Sequence, residues 1–161
     1  MHAEPEVMEF LAADGKPAPR FLAWQSFCAI LGHWQVRGYG LFAVIERSTG
    51  EFVGRVGPWF PEGWPEFEVG WTLRSAFWGR GYATEAATAA IDFSFGPLDR
   101  PHIASFINPS NARSIRVAER LGETPERRVV LPDVPDKEII QYGLYRDAWT
   151  ARPTTKTNDR H

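Results

Sequence analysis

Apolar residues along this chain recur at two spacings, and the spacing divides the chain into elements. Phe21, Trp24, Phe27, Cys28, Leu31 and Trp34 follow one another at three- and four-residue steps, which predicts a helix over 21–36 with these residues on one stripe. Gly38-Tyr39-Gly40 ends it. Strands are expected over 41–46, 52–56 and 67–73, the first two joined by the turn residues Arg47-Ser48-Thr49-Gly50-Glu51. Gly70 lies inside the third strand, where a glycine often marks a bulge or a close backbone approach. Ala83, Ala86, Ala87, Ala90, Ile91 and Phe95 give a helix over 82–95, stopped by Gly96-Pro97. A strand over 103–107 follows. Next comes a helix over 111–121, capped by Ser110 or Asn111 and ended by Gly122. Strands over 129–131 and 138–145 complete the pattern. Ahead of the first long helix lie a short helical or irregular piece (7–11) and a loop, Asp14-Gly15-Lys16-Pro17-Ala18-Pro19. Pro58 to Pro65 reads as a second loop. The order α, β, β, β, α, β, α, β, β contains one strand–helix–strand step. It predicts an α/β (α+β) domain with a mixed, mostly antiparallel sheet flanked by helices.

The turn before the second long helix carries the most specific chemistry. In Trp78-Gly79-Arg80-Gly81-Tyr82-Ala83-Thr84-Glu85-Ala86, two glycines allow a ligand close to the main chain, and the first-turn N–H groups can converge on one anion. Arg80 would add a cation at the rim. The same glycines also suit a sharp turn that only joins strand to helix. Two known phosphate motifs fit poorly. A P-loop needs Gly-Lys-Ser/Thr where Gly-Tyr-Ala-Thr stands. A dinucleotide fingerprint needs a third Gly or Ala where Thr84 stands, and an acidic residue where Ile107-Asn108 stands.

Composition narrows the class. The 161 residues suit one domain over 1–150 with a polar, disordered tail over 151–161, and 43% hydrophobic content supports a core. A net charge of −2 argues against nucleic acid as a partner. Cys28 is the single cysteine, and four scattered histidines lack ligand spacing, so no metal is expected. No apolar run is long enough to span a membrane and no signal peptide is visible, which predicts a cytoplasmic protein without membrane partners.

Trp78-Gly79-Arg80-Gly81-Tyr82-Ala83 resembles the pyrophosphate motif of the GNAT superfamily of N-acetyltransferases, Arg/Gln-x-x-Gly-x-Gly/Ala, with Trp in the first position. That substitution, the following Ala-Thr-Glu-Ala, and the stretch from Asn111-Ala112-Arg113-Ser114 to Arg120-Leu121-Gly122 are similar to the RimJ/RimL-like branch. The resemblance covers most of the chain. It departs from the family in two places. Ala118 stands where many members carry an acidic tyrosine, and the chain has no room for the strand and helix that usually precede Pro5-Glu6-Val7-Met8. A sheet without that edge strand would have open backbone groups and could pair into a homodimer.

The resemblance implies acetyl-CoA as cosubstrate and a primary amine, a protein N-terminus or a small molecule, attacking directly in a ternary complex. It implies that the strands 67–73 and 103–107 splay, a bulge near Gly70 helping, to admit the pantetheine arm. Thr72 and Leu73 would bond that arm through their backbone, Asn111 through its side chain. Trp78, Gly79, Arg80, Gly81, Tyr82, Ala83 and Thr84 would form the diphosphate site. Ser114 would contact the cofactor and protonate the departing thiolate, with Tyr142 and Tyr145 as alternatives. Glu68 would be the base, directly or through water. Trp59 and Trp64 would form an acceptor wall. An exposed strand carboxylate is the competing reading of Glu68, and a helix-surface serine that of Ser114. Two alternatives stand beside the enzyme: a CoA-binding or protein-binding module without turnover, and a nucleotide-binding domain unrelated to CoA.

Overall fold

Six strands form one sheet: β1 (Phe42–Ile45), β2 (Phe52–Trp59), β3 (Glu68–Leu73), β4 (His102–Ile107), β5 (Thr124–Val129) and β6 (Ile139–Tyr145). Their spatial order is β1-β2-β3-β4-β6-β5. Every neighbouring pair is antiparallel except β3 and β4, which are parallel. Helices α1 (Pro5–Leu11), α2 (Arg20–Arg37), α3 (Tyr82–Phe95), α4 (Ala112–Leu121) and α5 (Arg146–Thr150) flank it, with a 3-10 turn at Ser75–Phe77. The mixed, mostly antiparallel sheet is as the residue pattern predicts. This computed structural model describes residues 1–152. The remainder of the anticipated tail lies outside the described residues, but Arg152 is ordered: its guanidinium donates to the carbonyls of Arg120 and Leu121 at 3.0 and 2.6 Å, capping the C-terminus of α4.

The core lies between α3 and the central strands. Ala87, Ala90, Ile91 and Phe95 of α3 are buried with Val53, Val56, Val69, Leu73 and Ile103. Alanine suits this helix twice over, as a good helix former and as a small side chain that brings helix and sheet close.

Several local expectations need correction. The aromatic stripe of α2 faces outward: Phe21, Trp24, Phe27 and Leu31 are each at least half exposed, and of that stripe Trp34 alone turns in, donating to the carbonyl of Leu41 at 3.1 Å. The inward side is instead formed by Ser26, Ile30 and His33. His33 fixes it, because Phe60 N–H donates to Nε2 at 3.0 Å, so Nδ1 carries the proton donated to the Tyr39 carbonyl at 2.8 Å. Strand β2 runs on through Pro58 to Trp59 rather than stopping at Val56. Pairing with β1 ends at Val56, so the missing N–H of Pro58 deprives no neighbour. No bulge occurs at Gly70; it stands opposite Gly57 in continuous register. Its lack of a side chain has another use, since a Cβ there would come 2.8 Å from Glu68 Oε1. Strand β5 begins at Thr124, not Val129, because backbone pairing to β6 holds an edge strand whose own residues are almost all exposed. Helix α5 was not foreseen.

The splay between β3 and β4 does occur. Glu68 and Ala104 form their register pair, with Ala104 N–H donating to the Phe67 carbonyl at 2.9 Å. One residue on, the Ser105 hydroxyl bridges to the Val69 carbonyl at 2.8 Å. Beyond that side-chain bond the strands part, leaving backbone groups of β3 without sheet partners on that side.

Candidate active site

Two cavities meet where β3 and β4 separate. The first, about 390 Å³, runs along the start of α3 and is lined by Gly79, Gly81, Tyr82, Ala83 and Thr84. Gly79 and Gly81 have φ of +74° and +87°, and a Cβ on either would project into open space. Left-handed backbone at both positions is why glycine is required there. Gly81 is the N-cap of α3 and supplies no side-chain cap. Among the described residues nothing accepts from the N–H groups of Tyr82, Ala83 and Thr84. Orphan donors at a helix N-terminus form an anion site.

Helix α4 faces the same cavity with Arg113, Arg116 and Arg120. The Arg113 guanidinium stacks over the Trp78 ring at 4.5 Å. The Trp78 indole is itself held by a bond to the Leu73 carbonyl at 3.0 Å. Thr72, Leu73, Asn111 and Ser114 complete the lining. Arg80 does not join it: its guanidinium pairs with Glu46 at 2.6 Å and lies over the rings of Phe77 and Tyr82. Tyr82 also donates to Glu46, so this buried carboxylate ties the β1 end to the glycine turn. The donor set fits a polyanion with a diphosphate: uncapped amides in front, three guanidiniums beside them.

The second cavity, about 250 Å³, is lined by Glu68, Trp59, Trp64, Arg55, Asp133 and Ser26, among others. Burial pushes the Glu68 carboxyl up to about 8, reinforced by the charge of Asp133, while the Trp64 indole and Arg55 pull the other way. The Trp64 N–H donates to Glu68 Oε2 at 2.8 Å. Trp64 therefore both lines the cavity and aims the carboxyl. Phe106, 6.0 Å from it edge-on, and the Leu131, Val134, Ile139 cluster hold its ring. Trp59 lines the same cavity, its ring stacked on His33 at 4.4 Å.

Trp71, Thr72, Asn111 and Ser114, with Phe10 and Leu11 of the α1 end, line both cavities and mark the passage between them. The Asn111 side chain accepts from Ser114 N–H at 3.1 Å, so it caps α4 as well as lining the passage. The Trp71 indole donates to Ser114 Oγ at 3.3 Å. Ser114 thus accepts one bond and keeps its own proton free to give. Tyr142 is buried with Ile107 and Ala118, and Tyr145 is exposed at the strand end; neither lines the passage.

A second buried carboxyl lies behind Glu68. Glu123 is held up at about 8 by burial, with the Glu68 and Glu126 charges adding to it. The geometry agrees. Ser105 has one proton, given to the Val69 carbonyl, so the 3.1 Å contact between Ser105 Oγ and Glu123 Oε1 is best donated by a protonated Glu123. Both carboxyls have folded pKa values above their unfolded ones. Their contribution to stability is complete below about pH 4.5 and is lost as pH rises through about 8. Melting temperature is therefore expected to fall between pH 5 and 9. Glu123→Gln should flatten that fall, saving roughly 3–5 kcal/mol at high pH. An identical pH slope in wild type and variant, by calorimetry, would remove Glu123 from the account.

The family follows from comparison. The acetyltransferase (GNAT) domain model matches residues 1–124, and the chain belongs to this family. The Bacillus subtilis protein YkkB, itself uncharacterized, is 40% identical over 125 residues, 74% of this chain and 69% of that one. The uncharacterized B. subtilis N-acetyltransferase YnaD is 30% identical over 81 residues, 50% of this chain and 48% of its own length. An acetyltransferase crystal structure from Agrobacterium tumefaciens superposes with a TM-score of 0.76 at 32% identity, covering 90% of this chain and 81% of that one. The ribosomal-protein-S5-alanine acetyltransferase of Vibrio fischeri shares the fold, with a TM-score of 0.67 at 20% identity over 92% of this chain and 83% of its own.

Proposed function

We propose that this protein is an acetyl-CoA-dependent N-acetyltransferase that acetylates a primary amine by direct attack in a ternary complex. The observation that carries this reading is the junction of the two cavities at Trp71 and Ser114, with uncapped helix amides in one and a carboxyl of raised pKa in the other. Acetyl-CoA, when bound, supplies an acetyl thioester.

The residues of the chain do the rest. Gly79 to Thr84 and the α4 arginines bind the phosphates. The unpaired β3 backbone at Thr72 and Leu73 and the Asn111 side chain guide the extended arm toward the passage. Glu68 removes a proton from the acceptor ammonium, freeing the nitrogen lone pair. As the N–C bond forms and the C–S bond breaks, Ser114 gives its proton to the departing sulfur and is reprotonated from the acceptor nitrogen or water. An ammonium loses two protons overall: one ends on the thiol and one is released. A base near pKa 8 matches an α-amine, whose reference value is about 8, better than a lysine at about 10.4.

A module without turnover would bind the same cofactor, so the test must read chemistry. Acetyl-CoA should raise the melting temperature, and amines from a panel should release free CoA in step with acetylated product. Binding without CoA release from any amine would leave the module; no binding would overturn both.

A further inference from the structure

We propose that the acceptor carries a carboxylate within a few bonds of its reactive amine, and that Arg55 holds that carboxylate; the substrate class is then small amino carboxylates such as amino acids. The inference deepens the acetyltransferase reading above and rests on it.

Arg55 and Glu68 lie on the same face of the sheet. Arg55 is opposite Thr72 and Trp59 is opposite Glu68, with the pair Gly57–Gly70 between them. Side chains alternate along strands, so these three pairs share one face. The two glycines add no side chain between the charged residues; the Glu68 carboxyl lies over Gly70 and the 40–42 segment over Gly57, and both charged residues line the same cavity. No carboxylate among the described residues lies within ion-pair distance of the Arg55 guanidinium. Its one side-chain bond is a long one, Nη1 to Ser26 Oγ at 3.3 Å. Burial lowers its pKa, and the charge of Glu68 offsets this only in part.

A half-buried charge without a close ion-pair partner among the described residues is costly, and a bound anion relieves that cost. The guanidinium fork matches a carboxylate in two parallel bonds. Position fixes how near the amine must be. Thr72, directly across from Arg55, also lines the passage at Trp71 and Ser114 where transfer would occur. An anion on Arg55 therefore sits beside the reacting nitrogen, not at the far end of a long chain. The same cation repels a polyamine, whose second ammonium would have to pass it.

The test compares wild type with Arg55→Gln on matched acceptors: amino acids, their carboxamides, and spermidine. Wild type should prefer each amino acid over its carboxamide by at least about 10-fold in kcat/KM. Losing Arg55 also raises the Glu68 pKa, so both enzymes are compared on the high-pH plateau of their rate profiles. There Arg55→Gln should raise KM for the amino acids about 10- to 100-fold, with plateau kcat changed little, and affect the carboxamides far less. Arg55→Lys should recover part of the loss. Equal use of acid and amide by wild type, equal losses on both in the variant, or better turnover of spermidine than of any amino acid would overturn the proposal while leaving an active acetyltransferase. Should Arg55→Gln fail to fold, the wild-type preference decides alone. Absence of acetylated product from every acceptor would overturn the transferase reading, and this inference with it.

Discussion

Replacing Glu68 by Gln is expected to lower kcat by about 10²- to 10⁴-fold, the usual worth of a positioned general base. Gln keeps the shape and still offers an oxygen to the Trp64 indole, whose bond to Oε2 is 2.8 Å, so the fold should be undisturbed. The pH profile provides the sharper signature. Glu68 acts as a base only when ionised, and its carboxyl is pushed up to about 8. Wild-type kcat should therefore rise with pH and level off above about 8, whereas the variant should lack that inflection. A variant with a reduced rate but the same inflection would mean that another group removes the proton.

Gly81→Val should abolish measurable acetyl-CoA binding, or weaken it by roughly 100-fold or more, while the domain remains folded. Two costs combine. Valine at φ +87° adds about 1–2 kcal/mol of backbone strain. Its branched side chain also enters the space in front of the Tyr82, Ala83 and Thr84 amides, which have no other partner among the described residues. Losing two charge-assisted bonds at about 1.5–3 kcal/mol each accounts for the predicted loss of affinity. Calorimetric titration with acetyl-CoA, with circular dichroism to confirm folding, decides it. Unchanged affinity in a folded variant would place the diphosphate elsewhere.

The glycine turn, the cap at Asn111 and the order of elements could be read directly because each is a local property. Gly81 at the N-cap of α3 and Gly122 at the C-cap of α4 adopt left-handed backbone, and their neighbours announce the helices they bound. The α4 arginines at 113, 116 and 120 were equally visible, at the three- and four-residue spacing that puts them on one face. Their place on the cavity is not legible in the sequence, because a basic helix stripe reads as an ordinary solvated surface until a cavity is placed against it. Asp133 and Arg55 were not legible in this way at all. One lies in a loop and the other in a strand with no motif, and only the folded cavity brings them to Glu68.

The α2 stripe shows the limit from the other side. Periodicity identified a helix and a stripe, but which face turns inward depends on what the rest of the chain presents to it. Here His33, Ser26 and Ile30 found partners in the sheet and the cavity, and the aromatic face did not. The sequence alone determined the family, the element order and the glycine turn, because these depend on residues close together along the chain. Tertiary structure decided the direction of α2, the aim of Trp64 at Glu68, the high pKa of that carboxyl and the placing of Arg55 in the same cavity. Each depends on desolvation or on contact between residues tens of positions apart; Trp64 and Glu68 are only four apart, but Phe106 and the Leu131 cluster hold the ring that joins them.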